Sequence, residues 1–373
     1  MKTTGKSILI GLCVVCVLAA PVLRAGPAPS LEVNLPNATQ GPLWPPGELT
    51  DAEGNFLVVG LILEEVAPGV VAPVPGAAVV SPETVPPLDA NGHEDFRNPF
   101  GAPYRVLRRL DLSPGSTDLD LLLHSSSFGP PRGDFGGGPR IPALGQSAYN
   151  LNGTGLQCAE IFPAASQRWS YQRPSRPLQL QPVWGFQGDD LFYDVDTGEA
   201  LPIDEPDLDR RPVGEVTLGQ WLAARGRLRI QLTDYDEAAG AYTAAHFHFR
   251  FSHLLPHSVY TIWAIRLNNI VPMPELGQPD PVALPNLVVS DGRGRARLHA
   301  RVDNPFPAPD GPLAGQRIIG FIVNYHDDYQ NWGACPARLG PGVESHSMFN
   351  TMADGTQDIT SFITVAPAGA SSP

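Results

Sequence analysis

Imidazoles alternate with phenylalanines in Ala245-His246-Phe247-His248-Phe249-Arg250-Phe251. On a β-strand successive side chains leave on opposite faces, so Phe247, Phe249 and Phe251 read as core and His246, His248 and Arg250 as the other face. Two imidazoles on one strand face are the start of a copper or zinc site, because neutral imidazole ligates both metals. A third ligand has to come from elsewhere. His326 follows the apolar run Ile318 to Tyr325 and is succeeded by Asp327 and Asp328. The candidate metal set is therefore His246, His248 and His326, with Asp327 and His346 as further oxygen and nitrogen donors. The competing reading of the same pattern is a wet sheet face, or one packed under a loop.

Arginines form the second constellation. Arg293, Arg295, Arg297 and Arg301 alternate along one segment together with His299, and Arg225, Arg227, Arg229 and Arg250 fall at equivalent phases of theirs. The guanidinium fork suits carboxylate, sulfate and phosphate. Two readings stand side by side: a site for an anion or polyanionic glycan, and a polar sheet face that balances the chain's acidic residues. Trp184, Trp221, Trp263 and Trp332 are candidates for sugar stacking in a carbohydrate-binding module, and equally for core anchoring.

Several chemistries are excluded. Lysine is absent after Lys6, so the segment beyond it holds no P-loop lysine, Schiff-base lysine or serine–lysine dyad. No Gly-x-Ser-x-Gly, His-Glu-x-x-His or dinucleotide fingerprint is present, and the one Cys-x-x-Cys spacing, Cys13 to Cys16, falls in the leader. A Ser/His/Asp triad leaves no local trace and stays open. Asp194-Val195-Asp196-Thr197-Gly198-Glu199 begins like a calcium loop but lacks the later oxygen ligands, and reads as a hairpin turn. The formal net charge of −13 argues against nucleic acid as a partner. A protein or glycan ligand fits better, in a binding or structural role rather than an enzymatic one.

The elements that would hold these residues are strands. Gly 38 and Pro 41 in 373 residues favour turns and short strands, and an apolar fraction of 42% suffices for packed cores. The fold expected is all-β. Residues 214–350 read as an antiparallel Greek-key sandwich or barrel, with strands at Ala245–Phe251, Val259–Leu267, Leu284–Val289, Arg295–Val302 and Ile318–Tyr325, and Phe56–Leu63 reads as a strand ahead of that domain. Asp291-Gly292-Arg293-Gly294 reads as a hairpin turn. Residues 26–213 read as a Pro/Gly-rich region, irregular with β-strands, in which the prolines of 66–90 leave extended or edge structure. Tyr104–Leu112 and Leu119–His124 are further strand candidates, and 351–373 is a tail.

Residues 1–25 read as a signal peptide: Lys2 and Lys6, the apolar run Ile8 to Ala20, and candidate cleavage sites at Leu23-Arg24-Ala25 and Leu18-Ala19-Ala20. The run is short for a bilayer span, so no stable membrane span is expected after its removal. The expected location is secreted, periplasmic or at the cell surface. There, Cys158 and Cys335 are either joined by a disulfide or left as two buried thiols.

Two resemblances follow from longer motifs. Val216-Thr217-Leu218-Gly219-Gln220-Trp221, Leu255-Pro256-His257-Ser258-Val259-Tyr260-Thr261-Ile262-Trp263 and Tyr325-His326-Asp327-Asp328 resemble segments of uncharacterised bacterial secreted β-sandwich proteins, over roughly residues 214–350. That likeness carries no activity. More faintly, Leu284 to Gly294 with Ile318 to Asp328 resembles the second half of Cu/Zn superoxide dismutase. This resemblance implies a Greek-key barrel, with His246, His248 and His326 in the places of copper ligands. The family's zinc site is missing, since only His299 lies between His257 and His326.

Overall fold

The computed structural model describes residues 29–39, 49–81, 83–84, 103–125, 214–237, 241–266, 270–273, 286–308, 311–326 and 346–351, and the backbone of four short strands between 169 and 201. The leader, Cys158, Cys335, Asp327, Trp184, Trp332 and the segment 352–373 lie outside the described residues. So do residues 26–28 at the start of the Pro/Gly-rich region and residues 195–199, read from the sequence as part of a turn.

The described chain is all-β and antiparallel. In order, the strands are β1 (Ser30–Leu35), β2 (Phe56–Ala67), β3 (Val70–Val80), β4 (Val106–Arg109), β5 (His124–Ser125), β6 (Trp169–Gln172), β7 (Arg176–Pro177), β8 (Leu191–Asp194), β9 (Ala200–Leu201), β10 (Arg225–Asp236), β11 (Ala241–Ser252), β12 (Val259–Arg266), β13 (Ile270–Pro272), β14 (Leu287–Val289), β15 (Ala296–Asp303), β16 (Ile318–His326) and β17 (His346–Asn350). Sheet A runs β1-β10-β11-β15. Sheet B runs β13-β12-β16-β17, with β14 also on β12. β2, β3 and β4 form a third sheet, β6, β8 and β9 a fourth, and β5 pairs with β7.

Sheets A and B share a core. Leu228 and Ile230 of β10, Phe247, Phe249 and Phe251 of β11, Tyr260 and Ile262 of β12, and Phe321, Val323 and Tyr325 of β16 belong to one buried cluster. Phe321 meets Phe247 and Phe249 edge-on, at 5.6 and 5.4 Å between ring centres, the arrangement aromatic quadrupoles favour. The same cluster takes in Val33 and Leu35 of β1 and Leu57, Val59, Ala77 and Val79 from β2 and β3. Residues on both sides of position 214 therefore contribute to one core.

The chain changes sheets repeatedly. β11 in sheet A is followed by β12 in sheet B, β14 in sheet B by β15 in sheet A, and β15 by β16 in sheet B. The turn Asp291–Gly294 thus links two sheets rather than closing a hairpin, which corrects the sequence expectation. Its shape is held by the Asp291 carboxylate, which accepts from the backbone N–H groups of Arg293 and Arg295. Gly294 has φ +66, and a Cβ there would sit 2.2 Å from the Leu254 carbonyl, so the close sheet-to-sheet passage requires glycine.

Two other expectations need correction. β3 is a paired strand despite its prolines: Pro73 lies opposite Leu63 and Pro75 opposite Leu61. The two prolines share one phase of the strand, and β4 pairs β3 only at Ala78–Val80. Both missing N–H groups are thereby accommodated on the unpaired side. Leu119–His124 is mostly not a strand: a 3-10 turn spans Thr117–Asp120, and pairing begins only at His124. A helix, α1 (Leu218–Ala223), precedes β10. Thr217 and Gln220 form a reciprocal capping box at its start, and Trp221 is buried on it with its Nε1 donating to the Ala38 carbonyl at 2.8 Å.

Candidate functional site

Alternation on β10, β11 and β15 produces a two-sided sheet. Each inward residue is apolar, and each outward residue is Arg, His, Gln or another polar group over the central rows. The registers place these outward residues in rows across the strands. Asn34, Arg227, Arg250 and Arg297 form one row; Glu32, Arg229, His248 and His299 the next; Ser30, Gln231, His246 and Arg301 the third. Directly opposed residues on neighbouring antiparallel strands hold their Cβ atoms about 4.5–5.5 Å apart. Gly226, between Arg225 and Arg227, fits the inward side: a Cβ there would meet Leu35 at 2.9 Å and Phe251 at 3.3 Å.

Three imidazoles meet on this face. The rings of His248 and His299 stack with centres 4.3 Å apart and planes 7° from parallel. The rings of His246 and His299 are 5.3 Å apart, and Nε2 of His299 lies 3.3 Å from Nδ1 of His246. Partial burial lowers the pKa of His248, with His299, His246, Arg229 and Arg250 adding to the effect by charge repulsion. In the absence of a counter-anion His248 resists protonation.

The sequence-derived metal set is not brought together. Phe321, Val323 and Tyr325 of β16 face sheet A, so His326 points away from it, on the outer side of sheet B. There Nε2 of His326 lies 2.8 Å from Thr261 Oγ1, which also accepts from Trp263 Nε1 at 2.8 Å. His246 and His248 are on the outer side of sheet A, with the shared core between the two groups. His346 is buried in β17, opposite Tyr325. Among the described residues, no group of three or more His, Cys, Asp or Glu is arranged to hold a metal ion. The near-parallel His248 and His299 rings are consistent with that, since stacked imidazoles do not aim their nitrogens at one point.

His299 is the partner that the spacing pattern did not single out. Its only trace in the sequence is its phase, shared with Arg297 and Arg301. Long-range register makes it a neighbour of His248.

The arginines on the outer face of sheet A divide into two groups. Arg225 donates to the Leu222 and Ala224 carbonyls at 2.7 and 2.8 Å, closing the end of α1. Arg295 pairs with Asp291 at 2.8 Å, and Arg301 pairs with Asp303 and, at 2.8 Å, with Asp234. Arg227, Arg229, Arg250 and Arg297 have no ion pair among the described residues. Between β1, β10 and β11 the face sinks into a cleft of about 450 Å³, whose walls include Glu32, Asn34, Arg227, Arg229, His248 and Arg250. A cleft of that size is in the range of small-molecule sites.

No family model matches the chain, and no curated sequence does. The aromatic sugar platform is also not carried by the described tryptophans, because Trp221 and Trp263 are buried. Among the described residues no helix is long and apolar enough to cross a membrane.

Proposed function

We propose that this is an exported β-sandwich protein with a binding role at or outside the cell surface, and that the outer face of sheet A is its ligand face, taking an anionic partner. One observation carries the reading. Arg227, Arg250 and Arg297 stand side by side on three adjacent strands, with Arg229 in the next row, and no carboxylate among the described residues pairs with any of them. Like charges directly opposed across strands are unfavourable. The chain has 38 acidic residues available, and it pairs Arg295 and Arg301 close by. A ligand anion in the cleft turns the unfavourable row into a favourable one, through charge-assisted and bidentate hydrogen bonds.

Export is part of the proposal and rests on the leader-like residues 1–25. An anionic polymer outside the cell, such as an acidic polysaccharide, is the partner class that suits both. The test is a binding titration of the full chain against an acidic polysaccharide, at low and high salt, with Arg227→Gln/Arg229→Gln/Arg250→Gln as the comparison. Binding should be lost at least tenfold in the triple variant and weaken as salt rises, because exposed charges are screened within a Debye length of about 8–10 Å. Equal binding by both proteins would end the proposal. Breakdown of the polysaccharide by the purified chain would replace a binding role with an enzymatic one.

A further inference from the structure

We infer that the cleft between β1, β10 and β11 recognises a sugar unit bearing an oxyanion, with the anion on the arginines of β10 and β11 and sugar hydroxyls on Glu32 and Asn34 of β1. This rests on the anion-binding reading of sheet A and goes further, because it names the ligand's chemistry and its orientation.

The argument starts from the asymmetry of the cleft. Its β10 and β11 walls carry Arg227, Arg229 and Arg250. Its β1 wall carries Glu32, opposite Arg229 in the register, and Asn34, opposite Arg227. Glu32 makes no ion pair among the described residues despite that position. An ionised carboxylate only accepts hydrogen bonds, whereas an amide both donates and accepts. A bare oxyanion gains from the arginines and is repelled by Glu32. A sugar hydroxyl donates to a carboxylate, so a hydroxylated ligand uses both walls.

Dimensions agree with one or two sugar units. Neighbouring strands lie about 4.7–4.9 Å apart, and residues two apart along a strand about 6.4–6.8 Å, so the cationic wall and the β1 wall are within the reach of a single pyranose and its substituents. The volume of about 450 Å³ accommodates this. His248, between Arg229 and His299 in the register, lines the same space.

The oxyanion is a carboxylate or a sulfate, and the test separates the two. Isothermal titration of the full chain would use four probes: a uronic-acid oligosaccharide, a sulfated oligosaccharide of the same length, a neutral oligosaccharide of the same length, and polyphosphate of matched charge. At least one acidic oligosaccharide should bind tenfold or more tightly than both the neutral sugar and polyphosphate; the tighter of the two identifies the anion. Glu32→Gln should weaken that sugar about fivefold or more while leaving polyphosphate unchanged or improved. Imidazole resonances of His248 and His299 should shift with the sugar in the unmodified chain, a readout that does not depend on the variant's folding. Polyphosphate binding as tightly as both acidic sugars, or Glu32→Gln improving all anions alike, overturns the inference and leaves the anion-binding face standing. Failure of every anionic probe overturns both.

Discussion

Sheets A and B share one core and present opposite kinds of outer face. β10 alternates strictly from Arg225 to Ile230, exposed then buried, whereas all eight residues of β12 are buried. The outer side of sheet A carries exposed arginines and the half-buried His246 and His248. The outer side of sheet B carries Trp263, Ile265 and Ile322 in a small apolar cluster, and beside them the Trp263–Thr261–His326 chain. An antiparallel sheet can leave one face to solvent, and sheet A does so. The lesson concerns histidine: His326 in a buried hydrogen-bonded chain has a packing role that its own position explains, while the imidazoles of sheet A lie among arginines, several of which have no ion pair among the described residues.

The comparison can be broken by substitution. The largest effect is expected in the core the sheets share. Phe249→Ala should cost about 3–5 kcal/mol, because Phe249 is 1% exposed and leaves a cavity against Phe321. Chemical denaturation measures this, and a loss under about 1 kcal/mol would mean the sheets do not share a packed interior. Next is Thr261→Val on the outer side of sheet B, which keeps shape and removes the hydroxyl that accepts from Trp263. The expected cost is about 1–3 kcal/mol, from a buried N–H deprived of its partner. No change would mean that this face is wet.

On sheet A the sign reverses. Arg250→Gln should stabilise the unliganded chain by about 0.2–1 kcal/mol at low salt, by relieving the row with Arg227 and Arg297, and the gain should vanish at high salt. Destabilisation at every salt concentration would show that Arg250 already has an anionic partner within the chain.

The smallest effect is on pH dependence. The His248 pKa is lowered in the folded chain, so the unfolded chain binds more protons as pH falls through about 6.5. Stability should therefore decline from about pH 6.5 downward until the lowered folded pKa is passed, and His248→Gln should flatten that slope. A saturating anion should flatten it too, since it favours the imidazolium. A slope unchanged by either would detach His248 from the anion site.

Much of this was legible locally. Phe247, Phe249 and Phe251 read as core from a period of two, and they are buried. The arginine phase was equally plain. The prolines of β3 misled because proline's missing N–H matters only where a neighbouring strand needs it, and Pro73 and Pro75 face a side with no strand. The helix α1 was too short for a helical period to show.

Strand periodicity, the Phe core, the outward arginines and the absence of lysine beyond residue 6 were determined by the amino-acid sequence alone, because each depends on residue identity or on neighbours two positions away. Pairing was decided only by the tertiary structure. His299 joins His248 across 51 positions, and Glu32 reaches Arg229 across nearly two hundred. His326, the apparent third ligand, is sent to the far side of the sandwich because Tyr325 before it belongs to the core. Registers between distant strands are set by how whole faces pack, and no local pattern encodes that.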